Sequence, residues 1–99
     1  MDKLIIDRKQ IFNIKKTKDR FFVYMLMKEN NIVYIGRTKN LKTRLEIQDR
    51  SNKDFNKIVI TENINQFQNI EKEKRYIKYF KPIYNHFYLK NQKQISYKG

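Results

Sequence analysis

Two β-forming runs, Phe21–Met27 (FFVYMLM) and Ile32–Thr38 (IVYIGRT), are separated only by Lys28-Glu29-Asn30-Asn31, and no other feature narrows the possible folds so far. So short a polar spacer between strand-like segments makes a hairpin. The second run also holds Gly36, the sole glycine before the terminal Gly99, at a place where glycine normally weakens a strand. Strand side chains alternate faces, so Tyr24 and Tyr34 share a face only if the loop has an odd number of residues. A three-residue loop pairing Met27 with Asn31 sets the two tyrosines opposite each other; a two-residue Asn-Asn turn separates them.

Beyond the hairpin, Leu41–Arg50 (LKTRLEIQDR) places Leu41, Leu45 and Gln48 on one helical face with Asn40 as N-cap. The polar break Ser51-Asn52-Lys53-Asp54 follows, then a β-branched strand, Phe55–Glu62, and a long helix, Ile64–Phe80, that must end before Pro82. The order is strand, strand, helix, strand, helix. Residues 1–20 and 86–99 are basic and weakly patterned, and are expected as an N-terminal extension and a C-terminal tail around a domain at 21–85.

Composition sets the class. With 99 residues the chain holds one small domain, and seven Tyr and seven Phe supply large buried area for its core. The lack of cysteine excludes disulfides and thiolate zinc sites. No apolar run reaches the roughly 18 residues of a membrane span, and the first residues lack a signal-peptide core, so a soluble, intracellular protein is expected: cytoplasmic, or nuclear in a eukaryotic host. Twenty-three Lys and Arg against ten Asp and Glu give a net charge of +13. Such a charge points to a polyanionic partner, although the lysine-rich habit of an AT-rich genome would also produce it.

The last helix contains an anomaly. At about 100° per residue, Phe80, Ile77, Ile70 and Tyr76 fall within about 60° of Glu73, which puts that carboxylate in the middle of the apolar arc, whereas Glu71 points into solvent. A carboxylate among apolar neighbours requires a cation. An ion pair with Arg44 of the preceding helix would answer the requirement, and so would a hard divalent metal held by one or two carboxylates, water and substrate phosphate.

Val23-Tyr24, then Tyr34-Ile35-Gly36, an arginine in the next helix at Arg44, and Glu73, Ile77, Pro82, Tyr84 and Asn85 at the end make five elements in order, and in this the chain resembles GIY-YIG endonuclease domains from about Phe21 to Asn85. The resemblance implies an α+β fold, a small three-stranded antiparallel sheet flanked by helices. It also implies hydrolysis of DNA with one divalent ion, Mg²⁺ or Mn²⁺, leaving 5′-phosphate and 3′-hydroxyl ends. By position, Tyr24 and Tyr34 correspond to the motif tyrosines, Gly36 to the motif glycine, Arg44 to the helical arginine, Glu73 to the metal-binding glutamate and Asn85 to the late asparagine. Arg37 falls where some relatives keep a basic residue, and Arg37, Lys39, Lys42 and Gln48 are the expected nucleic-acid contacts.

On this reading Tyr34 takes or relays a proton from water, Tyr24 orients water or phosphate, Arg44 holds phosphate oxygens, and Gly36 lets substrate approach the strand backbone. Each residue also has a plainer role: sheet aromatics for the tyrosines, a turn for Asn85, surface for His86. Two departures stand out. Phe22 occupies the place of the first motif's glycine, and Gln48 stands one turn beyond Arg44 where many relatives have His or Tyr; glutamine is neither a base nor a cation. They keep open an alternative, a cleavage-incompetent nucleic-acid-binding protein on the same scaffold. A weaker third is a basic module for an acidic protein partner. A phage, viral or mobile-element setting and branched or single-stranded DNA are expected, with lysines and aromatics of the two ends as further contacts; oligomeric state is not legible.

Overall fold

The computed structural model of the chain describes residues 3–85. Strand β1 (Lys3–Asp7) leads into a short 3-10 helix, Arg8–Asn13; then come β2 (Phe21–Lys28), β3 (Asn31–Thr38), α1 (Leu41–Asp49), β4 (Lys57–Asn63) and α2 (Gln66–Phe80). The strands form one antiparallel sheet in the order β1-β4-β2-β3.

The sheet has four strands rather than the expected three. Lys3–Asp7, within the stretch read as a basic extension, pairs with β4, Leu4 opposite Ile60 and Ile6 opposite Ile58. Only one of its five side chains, Ile6, is buried, so the segment carries no alternating apolar pattern from which a strand could be read.

The sheet separates two layers of core. On one face Phe22, Tyr24 and Leu26 of β2 and Ile58 and Ile60 of β4 pack with Leu41 and Leu45 of α1, with Ile6, and with Ile11 of the 3-10 helix. On the other, Val23, Met25, Ile35 and Val59 receive Tyr76 and Ile77 of α2. Even and odd positions of β2 thus serve opposite layers. Phe80, expected in the buried arc of α2, is 43% exposed; the most buried residue of the helix is Asn69, whose Oδ1 accepts a 2.6 Å bond from Asn63 Nδ2.

Caps set the ends of both helices. Asn40 accepts from the Thr43 N–H and Asn65 from the Gln68 N–H, and α2 stops at Lys81, in the left-handed region at φ 47, immediately before Pro82.

The hairpin reaches the expected parity by another route. The turn is Glu29-Asn30, with Lys28 paired to Asn31 and Glu29 at φ 56. A bulge follows: Met27 pairs with Ile32 but Leu26 with Tyr34, which leaves Val33 extra. A two-residue turn alone would put the tyrosines on opposite faces, and the bulged residue reverses that. Tyr24 consequently lies opposite Gly36 rather than Tyr34, and Tyr34 stands diagonally beside it, ring centroids 6.1 Å apart.

Candidate active site

Gly36 and Tyr24 form a cross-strand pair in which the ring of one fills the space left by the other. A Cβ on Gly36 would lie 2.5 Å from Tyr24 Oη and 2.6 Å from its Cζ. The glycine therefore makes room for a phenol of this chain, not for an approaching phosphate as the sequence reading had it. Burial pushes the Tyr24 hydroxyl well above its ordinary pKa; the adjacent Tyr34 adds to the rise, while the bond from Gln48 and the charge of Arg44 oppose it. Tyr24 stays a neutral phenol.

Gln48 is 5% exposed and its Nε2 donates to Tyr24 Oη at 3.0 Å. It was expected on the nucleic-acid surface; it stands behind Tyr24, on the core side of α1, because Leu41, Leu45 and Gln48 share that buried face. With Gln48 donating into its oxygen, Tyr24 has its proton left to give, and the Tyr34 ring stands beside it, centroids 6.1 Å apart.

Asn85 is likewise a scaffold residue. Its Oδ1 accepts from the Ile35 N–H at 2.7 Å and its Nδ2 donates to the Ile35 carbonyl at 2.9 Å. The side-chain amide thus closes the outer edge of β3 as a neighbouring strand would, between Tyr34 and Gly36. Both polar atoms of the amide thus bond that backbone.

Glu73 does meet a cation, but it is Arg37, not Arg44: Arg37 Nε donates to Glu73 Oε1 at 2.9 Å, and the glutamate side chain is 22% exposed. Strand β3 lies at the sheet edge and turns Arg37 toward α2, while Arg44 projects from α1 on the other side and enters no ion pair with a described residue. Tyr24, Tyr34, Gly36, Arg37, Arg44 and Glu73 line one surface pocket of about 290 Å³. A larger cavity of about 500 Å³ lies beside Arg8, Asp49 and Phe55, where Arg8 and Asp49 already pair with each other at 2.7 Å.

Lys39 and Lys42 stay outside this pocket. Lys39 Nζ sits 5.6 Å from the Phe21 ring centroid, and Lys42 pairs with Glu46 at 3.6 Å. His86 and the tail 86–99 lie outside the described residues. Sequence reasoning missed Lys53, whose Nζ is 4.8 Å from the centre of the Tyr34 ring; a lone lysine in a polar break gives no signal of that placement.

Among the described residues no three Asp, Glu, His or Cys side chains cluster, so a metal here would have Glu73 as its one carboxylate ligand. That suits a hard divalent ion, which keeps most of its water and takes substrate phosphate oxygens.

A family model of the GIY-YIG catalytic domain matches residues 20–87, and the chain belongs to that family. It is accordingly a nuclease, a phosphodiester hydrolase. Similar solved structures are N-terminal GIY-YIG endonuclease domains of UvrC from Thermotoga maritima. One, bound to its catalytic magnesium, is 21% identical with a TM-score of 0.64 over 78% of this chain and 92% of that one. A point mutant bound to its catalytic divalent cation is 22% identical with a TM-score of 0.63, over 78% and 91%. No curated protein sequence matches the chain. No helix among the described residues is long and apolar enough to cross a membrane.

Proposed function

We propose that this chain is a DNA endonuclease that uses one Mg²⁺ or Mn²⁺ ion on Glu73 and leaves 5′-phosphate and 3′-hydroxyl ends. One observation carries the reading: side chains from β2, β3, α1 and α2 converge on a single open pocket holding two phenols, two guanidiniums and one carboxylate.

The division of labour follows from the geometry. Tyr24 is buried, raised in pKa and held by Gln48, so it cannot accept a proton near neutral pH. Tyr34 lies nearer solvent beside Tyr24, and it is the residue to take or relay the proton of attacking water. Arg44, unpaired among the described residues, offers a planar fork to two phosphate oxygens and to the charge that builds on them. Glu73 would hold the ion, and Arg37, whose Nε donates to Glu73 Oε1 at 2.9 Å, would then be available to phosphate. The ion, when bound, supplies Lewis-acid stabilisation of the phosphate and the leaving 3′ oxygen.

The basic body supports attack on DNA through its backbone, as a phage, virus or mobile element would require, with Lys39 a contact on the exposed surface. The test is incubation of the protein and a Glu73→Gln variant with supercoiled plasmid, branched DNA and single strands, in Mg²⁺ or EDTA. Cutting that needs the ion and vanishes in the variant, while binding persists, is the expected result. Salt-sensitive binding by both proteins with no cutting of any substrate would establish the binding-only alternative, for which the Arg37–Glu73 pair is the structural footing.

A further inference from the structure

Lys53 lies between α1 and β4, in a segment that hydrogen bonds fix in place. Ser51 Oγ donates to the Gln48 carbonyl at 2.6 Å, the Lys53 N–H donates to Ser51 Oγ at 3.3 Å, and the Asp54 N–H donates to Tyr84 Oη at 2.8 Å. Phe55, next along the chain, is sunk in the core. The path of the loop thus delivers the ammonium to the face of Tyr34, 4.8 Å from the ring centre. No described carboxylate neutralises it there. Asp54, the adjacent acid, is taken by Lys28 at 3.3 Å, and Lys53 has no carboxylate partner among the described residues.

We infer that Lys53 is a positioning residue of the cleavage reaction, acting through Tyr34: its ammonium over the phenol face lowers the energy of the phenolate and so sets the pH at which Tyr34 takes the water proton. The half-buried setting of Lys53, which lowers its own pKa by desolvation, also keeps bulk water from screening this charge. Among the described residues, Tyr24 of β2, Arg44 of α1, Glu73 of α2 and Arg37 of its own strand line the same pocket as Tyr34; Glu73 and Arg37 offset each other, so Lys53 and Arg44 are the uncompensated charges of that set. Two unit charges about 5 Å apart at an effective dielectric of about 20 shift a pKa by about two units, and partial exposure of Lys53 reduces this to about one.

The use of this effect rests on the nuclease reading, but its measurement does not. The full chain is labelled with ¹³Cζ-tyrosine, the Tyr34 resonance is assigned with Tyr34→Phe, and wild type, Lys53→Met and Lys53→Arg are titrated without DNA. The expected result is ionisation of Tyr34 about one pH unit higher in Lys53→Met, where apolar packing is kept and charge lost, with restoration in Lys53→Arg. The rising limb of the cleavage rate against pH moves by the same amount. Tyr34 ionising at the same pH in wild type and Lys53→Met, or in neither before the fold is lost, overturns the inference. Absence of cleavage by wild type on every substrate overturns the nuclease reading instead, and the titration still decides the electrostatic effect.

Discussion

Gly36 and Tyr24 act as one unit, since the Cβ that any other residue would bring lies inside van der Waals distance of the phenol. Gly36→Ala is therefore expected to cost about 1–3 kcal/mol by overpacking. In a Tyr24→Ala background the same change is expected to cost about 1 kcal/mol less or even to stabilise, because its obstacle is gone; urea unfolding of the four proteins gives the coupling directly. The two tyrosines should also separate by experiment. Tyr24→Phe leaves the buried Gln48 amide without its acceptor and is expected to cost about 1–2 kcal/mol of stability. Tyr34→Phe is expected to lower the cleavage rate about 100-fold or more. The raised Tyr24 pKa adds a pH signature. Its contribution to stability is fully present below about pH 10, where the unfolded phenol is neutral, and is lost as pH rises beyond, since only the unfolded chain can then ionise easily. Wild type should lose more stability than Tyr24→Phe between about pH 9 and pH 11. At this scale the sequence identifies which residues gather, because ordered spacing survives without coordinates. Helical spacing puts Gln48 on the face of Leu41 and Leu45, but the sequence does not reveal that Gln48 meets Tyr24 or that Asn85 faces inward, because both contacts depend on packing between elements distant in sequence.

Strand β3 is an edge strand carrying Tyr34, Gly36 and Arg37, so its position governs the pocket. The Asn85 amide holds it in place of a fifth strand, with two bonds to Ile35. Asn85→Ala leaves a buried donor and acceptor unpaired and is expected to cost about 2–4 kcal/mol. It should also speed hydrogen exchange of the Ile35 amide by at least 10-fold relative to amides in β2, which native-state exchange measures. A merely local turn role for Asn85 would leave the Ile35 amide unaffected. The elements themselves were legible from β-branched runs, helical spacing and caps, and the observed ends fall close to those expected. The bulge at Val33 was not, because a Glu29-Asn30 turn followed by a bulge gives the tyrosines the same parity as a three-residue loop, and residue types do not distinguish the two.

The net charge of +13 invites the view that the first residues are only a cationic arm for DNA, but the way they are built in argues for a structural part. Ile11 is 1% exposed within the α1-side core. Arg8 donates at 2.7 Å to both Asp49 Oδ1 and the Asp49 carbonyl, and it also bonds the Phe55 carbonyl, so it ties the segment to the end of α1 and the start of the loop that carries Lys53. Strand β1 covers β4, which would otherwise be an open edge beside the central strand. Pattern alone could not show this, since a run of three aliphatics, Leu4-Ile5-Ile6, is too short to have an alternating period and is set in a basic stretch. Ile11→Ala is expected to lower stability by about 2–5 kcal/mol through the cavity it leaves. A chain lacking residues 1–13 should lose cooperative thermal unfolding altogether, followed by circular dichroism. Were that shortened chain to unfold like wild type and lose only salt-sensitive DNA affinity, the segment would be an arm after all. The conserved-charge substitution Arg8→Lys sharpens the distinction: it keeps net charge and phosphate attraction but breaks the forked contact with Asp49, so a loss of about 1–2 kcal/mol with unchanged DNA affinity is expected only if the segment is part of the fold.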